Sequence, residues 1–310
     1  MQFIRGLANA HTCAALEHGV VATIGGFDGV HRGHQALLAA LKARAQELQL
    51  PSMVISFEPS PREYFKKDAT PTRLQRFRDK YLSLADQQID VFACLRFDEH
   101  LQAMSAAAFV DCVLHQKLNL RWLLVGHDFR FGRGREGNIE HLHAYGSTHG
   151  FGVDEFSPFM VDDQRVSSTL VREALIAGQL DRAHTLLGRD YSISGRVVRG
   201  NQLGRTLGFP TANLRLQRLI PLRGVFAVRV TGAGLHSAAA VASIGTRPVV
   251  NGTEPLLEVF IFNFTGDLYH QQITVEFVAR LRDERWFPSL DALQEQMQID
   301  AEQARIILQD

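Results

Sequence analysis

The chain has 310 residues, enough for more than one hydrophobic core, so two domains is the natural expectation. Its 33 basic and 33 acidic side chains cancel, which excludes a globally basic nucleic-acid binder, although a local basic groove stays open. Three cysteines without paired spacing argue against a disulfide framework; with no apolar stretch behind Met1 and no apolar run of about eighteen residues, the cytoplasm is the expected compartment.

In chain order, the first legible element is the β-branched run at residues 20–24, which reads as a buried strand. Residues 35–44 carry leucine and alanine at helical spacing. Between them lies Gly25-Gly26-Phe27-Asp28-Gly29-Val30-His31-Arg32-Gly33-His34. A glycine-rich turn from strand to helix brings backbone N–H groups close to an anion, and the helix N-terminus adds favourable partial charge. His31 and His34, placed on the first helical turn, can face that same anion. A zinc half-site is the other chemistry open to such a pair, but zinc takes three or four ligands and no cysteine joins these two.

Residues 50–57 give a second strand, and the strand–helix–strand unit implies a parallel sheet. Phe57-Glu58-Pro59-Ser60-Pro61 closes it in an extended turn. Residues 72–87 read as a helix, with Arg73, Arg76, Arg78 and Lys80 mostly on a solvated face. Strands follow at 91–95 and 121–126, with a helix over 106–116 between them. The turn at 126–132 then leaves the carboxyl end of a strand, where parallel sheets take ligands. Gly132-Arg133-Gly134-Arg135-Glu136-Gly137 fits Gly-x-Gly-x-x-Gly, but it does not directly join a strand to its helix, so a dinucleotide site is rejected. His141, His143 and His149 read as surface residues. A strand at 153–159 precedes a helix opened by Ser167-Ser168-Thr169. One hydroxyl suffices for a cap; three, with Arg172 one turn on, offer donors and a guanidinium to phosphate oxygens. Two helical turns over 178–188 end this half, with a domain boundary expected near 184–189.

Past residue 190 the pattern changes to short strands, at 191–193, 195–198, 224–230, 238–244, 256–262 and 272–277, without helices between them. That series suggests a small antiparallel barrel, followed by a helix over 289–308. The turn from Gly200 to Leu214 is a near miss to the P-loop, with Arg205 in place of lysine, and by itself reads as a flexible hairpin loop with some capacity for phosphate. Glu258 by propensity alone is a strand-edge surface residue.

These motifs resemble, over about residues 15 to 300, those of the bacterial bifunctional riboflavin kinase/FMN adenylyltransferases, also called FAD synthetases. His31-Arg32-Gly33-His34 is similar to the HxGH signature of the nucleotidyltransferase superfamily, and Pro210-Thr211-Ala212-Asn213 to the riboflavin kinase motif. The resemblance implies a Rossmann-like α/β nucleotidyltransferase domain over residues 1–186 and an antiparallel β-barrel kinase domain with a C-terminal helix over 187–310. It implies phosphorylation of riboflavin to FMN by ATP, then adenylylation of FMN to FAD with release of pyrophosphate.

For adenylylation it implies His31, His34 and Arg172 as catalytic, Gly25, Phe27, Asp28, Ser167, Ser168 and Thr169 around ATP, and Asp128 and Phe129 at the flavin. For the kinase it implies Glu258 as base, Gly204, Arg205, Gly208 and Pro210 around ATP, Thr211 and Asn213 for Mg²⁺, and Arg282 at the flavin. Ser60, His127, Ser243 and Phe260 depart from residues common in the family, so a single-activity enzyme and a flavin- or nucleotide-binding regulator without turnover stay open as alternatives. The expected partners are the small-molecule substrates, with no nucleic acid or membrane, in a monomer or weak homo-oligomer.

Overall fold

The computed structural model describes residues 1–8, 10, 13–65, 71–200, 207–216, 220–249 and 252–310. The chain divides into two compact units, one of Met1–Pro71 with Lys80–Ser167, the other of Thr72–Asp79 with Ser168–Asp310.

The first unit is built on β1 (Gln2–Arg5), β2 (Val20–Ile24), β3 (Ser52–Glu58), β4 (Val91–Arg96), β5 (Leu120–Gly126) and β6 (Gly152–Phe156). They form one sheet in the order β1-β4-β3-β2-β5-β6, and every neighbouring pair is parallel. Every residue of β2 is buried, as a central strand covered on both faces requires. In chain order, α1 (Arg32–Glu47) leads from β2 to β3, and α2 (Pro61–Phe65) and α3 (Phe77–Asp86) fall between β3 and β4. Next come α4 (Glu99–Ala103) and α5 (Ala106–Ala108), which runs on as widened π turns over Phe109–Lys117, then α6 (Ile139–His149) between β5 and β6. A short hairpin, β7 (Met160–Val161) with β8 (Gln164–Arg165), ends the unit. From β2 the chain winds outward through β3 and β4, then returns to β5 on the other side. The carboxyl ends of β2 and β5 therefore flank the point where strand order reverses, the place where open parallel sheets take ligands.

The second unit begins with α7 (Ser168–Ile176) and α8 (Leu180–Leu187). A closed antiparallel barrel follows, of β9 (Tyr191–Val198), β10 (Ala212–Arg215), β11 (Gly224–Gly232), β12 (Leu235–Val249), β13 (Gly252–Ile261) and β14 (Gln272–Arg282). Its circular order is β10-β13-β12-β11-β14-β9. Phe226 and Phe277 meet edge-to-face inside it, ring centres 5.3 Å apart. The long C-terminal helix α9 (Leu290–Leu308) lies on β11, β12 and β14, where Ala301, Ala304 and Leu308 join Phe209, Ala227, Ala239 and Phe262 in an apolar layer outside the barrel.

Parallel sheet, barrel and terminal helix match the expected fold. Several local expectations change; the end of the stretch read as a hairpin loop is a barrel strand, β10. Gln2–Arg5 is a strand that periodicity does not reveal, because Ile4 alone of the four is buried. Residues 191–193 and 195–198 are one strand, β9, running through Gly195. The helix expected from residue 72 starts at Phe77, and of its four basic residues Arg78 is the exposed one, while Lys80 is buried.

Candidate active sites

In the first unit the strand β2 delivers Gly25 to a turn that the backbone makes with Phe27 at φ 46° and Val30 at φ 39°. Left-handed backbone costs a β-branched or bulky residue roughly 1–3 kcal/mol, so the surrounding packing must hold it, and both side chains are buried. The turn ends at His31, whose extended backbone (φ −69°, ψ 170°) makes it the N-cap of α1 rather than a residue of its first turn. The His34 backbone N–H donates to His31 Nδ1 at 3.3 Å. That bond assigns the Nδ1 of His31 as an acceptor, so the neutral ring carries its proton on Nε2 and has a donor to offer. His34 stacks on His31, ring centres 3.7 Å apart, and Phe27 lies 4.9 Å from His34 on a tilted plane.

Burial, then the neighbouring His31 and Lys80, hold His34 well below the ordinary imidazole range, so it is neutral near pH 7. Its Nδ1 is buried without a hydrogen-bond partner. Two stacked imidazoles beside a buried lysine make an environment in which an anionic phosphate is favoured.

From the neighbouring strand β5, the turn after Gly126 carries Asp128 and Phe129. Arg165 donates to both Asp128 oxygens, at 3.0 and 3.3 Å, and this holds the Asp128 carboxyl below the usual carboxylate range. Phe129 stacks on Phe131 at 5.7 Å, and Phe131 is buried beside Phe109. The Gly-x-Gly-x-x-Gly stretch makes a tight turn over Arg133–Arg135, closed by a bridge between Phe131 and Gly137; α6 begins only after it, capped by Asn138. It lacks the strand-to-helix junction that dinucleotide binding needs. His141 and His143 are exposed on α6.

In the second unit α7 opens at Ser168, and Arg172 Nε donates to the Thr72 carbonyl at 2.6 Å while Nη1 donates to the Ser168 carbonyl at 3.0 Å. Ser167 and Ser168 are half-buried and Thr169 exposed.

The barrel site is set by strand register. Asn213 on β10 stands opposite Glu258 on β13, and Glu258 stands opposite Ser243 on β12. Directly opposed residues share a face, so these three form a row across the outside of the barrel. Leu257 and Val259, on either side of Glu258, are fully buried and point the other way. Asn213 Nδ2 donates to the Thr211 carbonyl at 3.1 Å and approaches the Thr211 hydroxyl oxygen at 3.4 Å. Asn213 Oδ1 is buried and accepts no hydrogen bond. Gly200 covers it so closely that a Cβ at that position would stand 2.5 Å from Oδ1. A buried, unsatisfied amide oxygen beside a threonine hydroxyl is a hard-oxygen pair of the kind Mg²⁺ prefers, so these residues fit that ion.

The turn that brings Thr211 here is anchored at its end. Phe209 meets Phe260 edge-to-face at 5.0 Å, and Gln294 of α9 donates to the Leu207 carbonyl at 3.2 Å. Gly208 and Pro210, on either side of Phe209, are exposed; Gly204 and Arg205 lie outside the described residues. Arg282 makes a bidentate ion pair with the buried Asp300 of α9, its shortest contact 2.7 Å.

The four departures from family custom have local accounts. Ser60 and Glu63 cap α2 reciprocally, each backbone N–H donating to the other's side chain, at 2.9 and 3.3 Å. His127 pairs with Glu155 on β6. Ser243 completes the row with Glu258. Phe260 belongs to the aromatic layer under α9.

Both regions match known families, FAD synthetase over residues 13–170 and riboflavin kinase over residues 187–308. A bifunctional riboflavin kinase/FMN adenylyltransferase of Haemophilus influenzae is 44% identical over 306 residues, 98% of each chain. Its counterpart in Escherichia coli K12 is 45% identical over 98% of this chain and 97% of that one. The chain belongs to the bifunctional riboflavin kinase/FMN adenylyltransferase family. A structure solved as a macrolide-efflux protein from Streptococcus pneumoniae shares the fold, with a TM-score of 0.83 at 29% identity over 98% of this chain and 99% of that one. Among the described residues no helix is long and apolar enough to cross a membrane.

The structure brings His31, His34 and Phe27 together, and Thr211, Asn213 and Glu258 together. It ties Arg282 to α9 and Arg172 to backbone carbonyls. Sequence reasoning missed the placement of Lys80 near His34, because that residue comes from a helix much later in the chain. It also missed Arg165 as the partner of Asp128, although a lone arginine before the hydroxyl run was visible.

Proposed function

We infer that this chain carries both activities of its family: it phosphorylates riboflavin to FMN with ATP, and joins FMN to the AMP moiety of ATP, releasing pyrophosphate. The observation that carries the reading is the presence of two separate constellations, the stacked imidazoles at the end of β2 and the Asn213–Glu258–Ser243 row on the barrel, in regions matched by two different families.

In adenylyl transfer an FMN phosphate oxygen attacks the α-phosphorus of ATP, and pyrophosphate leaves with the electron pair of the broken P–O bond. The nucleophile is already anionic, so alignment and charge stabilisation are what the protein supplies. His31 Nε2–H donates to the phosphate oxygens on which charge builds, and His34, neutral when the site is empty of anion, gains a proton more readily beside them. Gly25, Phe27 and Asp28 shape the ATP side, and Asp128 and Phe129 the flavin side. Ser167, Ser168, Thr169 and Arg172 serve the same reaction on the strength of their motif; the matched family region ends at residue 170, just short of Arg172.

In the kinase reaction the riboflavin 5′-hydroxyl attacks the γ-phosphorus and ADP leaves. Glu258 takes the hydroxyl proton. Thr211 and Asn213 Oδ1 would hold Mg²⁺, which when bound would neutralise charge on the phosphate oxygens. Gly204, Arg205, Gly208 and Pro210 serve ATP on the strength of their motif alone. Arg282 acts at the flavin through the loop after β14 that its ion pair fixes. We place the boundary between the activities at residues 186/187, and the protein in the cytoplasm as a monomer or weak homo-oligomer without nucleic-acid partners. Its free Cys13, Cys94 and Cys112 suit a reducing compartment.

Incubation of the purified chain with riboflavin, ATP and Mg²⁺ tests the reading. FMN followed by FAD is expected; tight flavin binding without conversion would contradict it.

A further inference from the structure

Thr72–Asp79, which ends in the first residues of α3, lies in the first half of the sequence yet belongs to the compact unit that holds the barrel. Arg76 spans two barrel strands. Its Nη1 donates to the Ser194 carbonyl on β9 at 3.2 Å, and its Nη2 to the Arg215 carbonyl at the end of β10 at 2.7 Å. Asp79 accepts a hydrogen bond from the hydroxyl of the same Ser194. The ladder between β9 and β10 covers only Val198 with Asn213 and Val197 with Leu214. The guanidinium therefore ties the two strands where their own ladder has ended.

The local sequence is fitted to this contact. A Cβ on Gly195 would stand 3.3 Å from Arg76 Nη1 and 2.9 Å from Leu214 Cδ2, so glycine leaves the arginine its room. A planar guanidinium reaches two carbonyls with a fixed fork, which the point charge of lysine does not. Burial pushes the Asp79 carboxyl up, opposed by the Ser194 hydroxyl and the Arg76 charge.

One of the tied strands, β10, presents Asn213, with Thr211 just before it. Arg215 and Asn213 are alternate residues of β10 and share a face, and Asn213 is in register with Glu258. We propose that Arg76 is a positioning residue for riboflavin phosphorylation: by tying Ser194 to Arg215 it holds the β9–β10 pair, and with it Thr211 and Asn213, opposite Glu258. This rests on the assignment of Thr211, Asn213 and Glu258 to that reaction.

The test uses the full chain carrying Arg76→Ala or Arg76→Lys, with Asn213→Ala to check the underlying assignment. Initial rates are read from riboflavin to FMN across a range of Mg²⁺, and from supplied FMN to FAD. Arg76→Ala should lose roughly tenfold to a hundredfold in riboflavin turnover, the scale of a misplacement remote from the chemistry. It should also need more Mg²⁺ for half its maximal rate, while FMN-to-FAD turnover stays at the parent level. Arg76→Lys, keeping one donor, should recover part of the loss, and decides on the same readouts if the alanine variant does not fold. Parent-like riboflavin turnover and Mg²⁺ requirement in the Arg76 variants, with Asn213→Ala inactive, would overturn the proposal and leave the site assignment standing. A loss with unchanged Mg²⁺ requirement, or one shared by both reactions, would overturn it too. Parent-like turnover in Asn213→Ala would instead remove the assignment itself.

Discussion

His34 is buried, stacked on His31, and has no hydrogen bond at Nδ1. The folded chain therefore holds this ring neutral where the unfolded chain takes up a proton, near pH 6.5. Because the unfolded state binds more protons below that pH, stability falls as pH drops through it toward the lower folded value, by at most about 1.4 kcal/mol per pH unit. Above the unfolded pKa this group contributes no pH dependence. Urea unfolding across that window should show His34→Gln losing less stability on acidification than the parent, and equal slopes would contradict the account. The histidine pair was legible in sequence because its spacing beside a glycine turn has few other uses. That His31 caps α1 was not legible, since Ser, Thr, Asp and Asn are the usual caps and a ring nitrogen in that role follows only from the extended backbone at the turn.

At the scale of elements, α9 anchors the segment that leads to Thr211, in the proposed kinase site. It carries Gln294, which fixes the Leu207 carbonyl, and the alanine face against which Phe209 packs. It also carries Asp300, only 3% exposed, which receives Arg282 at the end of β14 and the Gln296 amide at 2.7 Å. Removing one partner of a buried ion pair leaves the other charge uncompensated, at a cost of about 3–5 kcal/mol. Asp300→Ala should therefore destabilise the barrel by that order in denaturant unfolding; a change near zero would show that the Arg282 pair does not anchor the helix. Five of the barrel strands could be read from their alternation, and α9 from its helical spacing; β10 could not, because it ends the stretch that reads as a hairpin loop. The clasp between Arg282 and Asp300 could not, because nothing local distinguishes an arginine that meets a flavin from one that meets a carboxylate on a distant helix. Phe260 was a departure in sequence terms and becomes ordinary once the aromatic layer is seen.

For the whole molecule, the order of secondary structure announced a parallel sheet followed by a barrel, because helices alternate with strands before residue 190 and then give way to strands until the terminal α9. Which segments travel with which core was less legible. The matched families meet between residues 170 and 187, yet α7, α8 and Thr72–Asp79 group with the barrel, and α8 lies against β9 and β14. Such grouping depends on contacts between residues far apart in sequence, of which Arg76 with Ser194 and Arg215 is the clearest.

Crossed initial rates test most directly whether two reactions run on two separate sets of side chains in one chain. His31→Ala and Glu258→Gln are each assayed from riboflavin and from supplied FMN. His31→Ala should still make FMN but slow FAD formation by about a hundredfold or more, the scale of a lost charge-stabilising donor. Glu258→Gln should slow FMN formation by roughly a hundred- to ten-thousandfold, the usual worth of a positioned base, and still convert supplied FMN to FAD at the parent rate. Loss of both reactions in either folded variant, or of neither, would contradict the account.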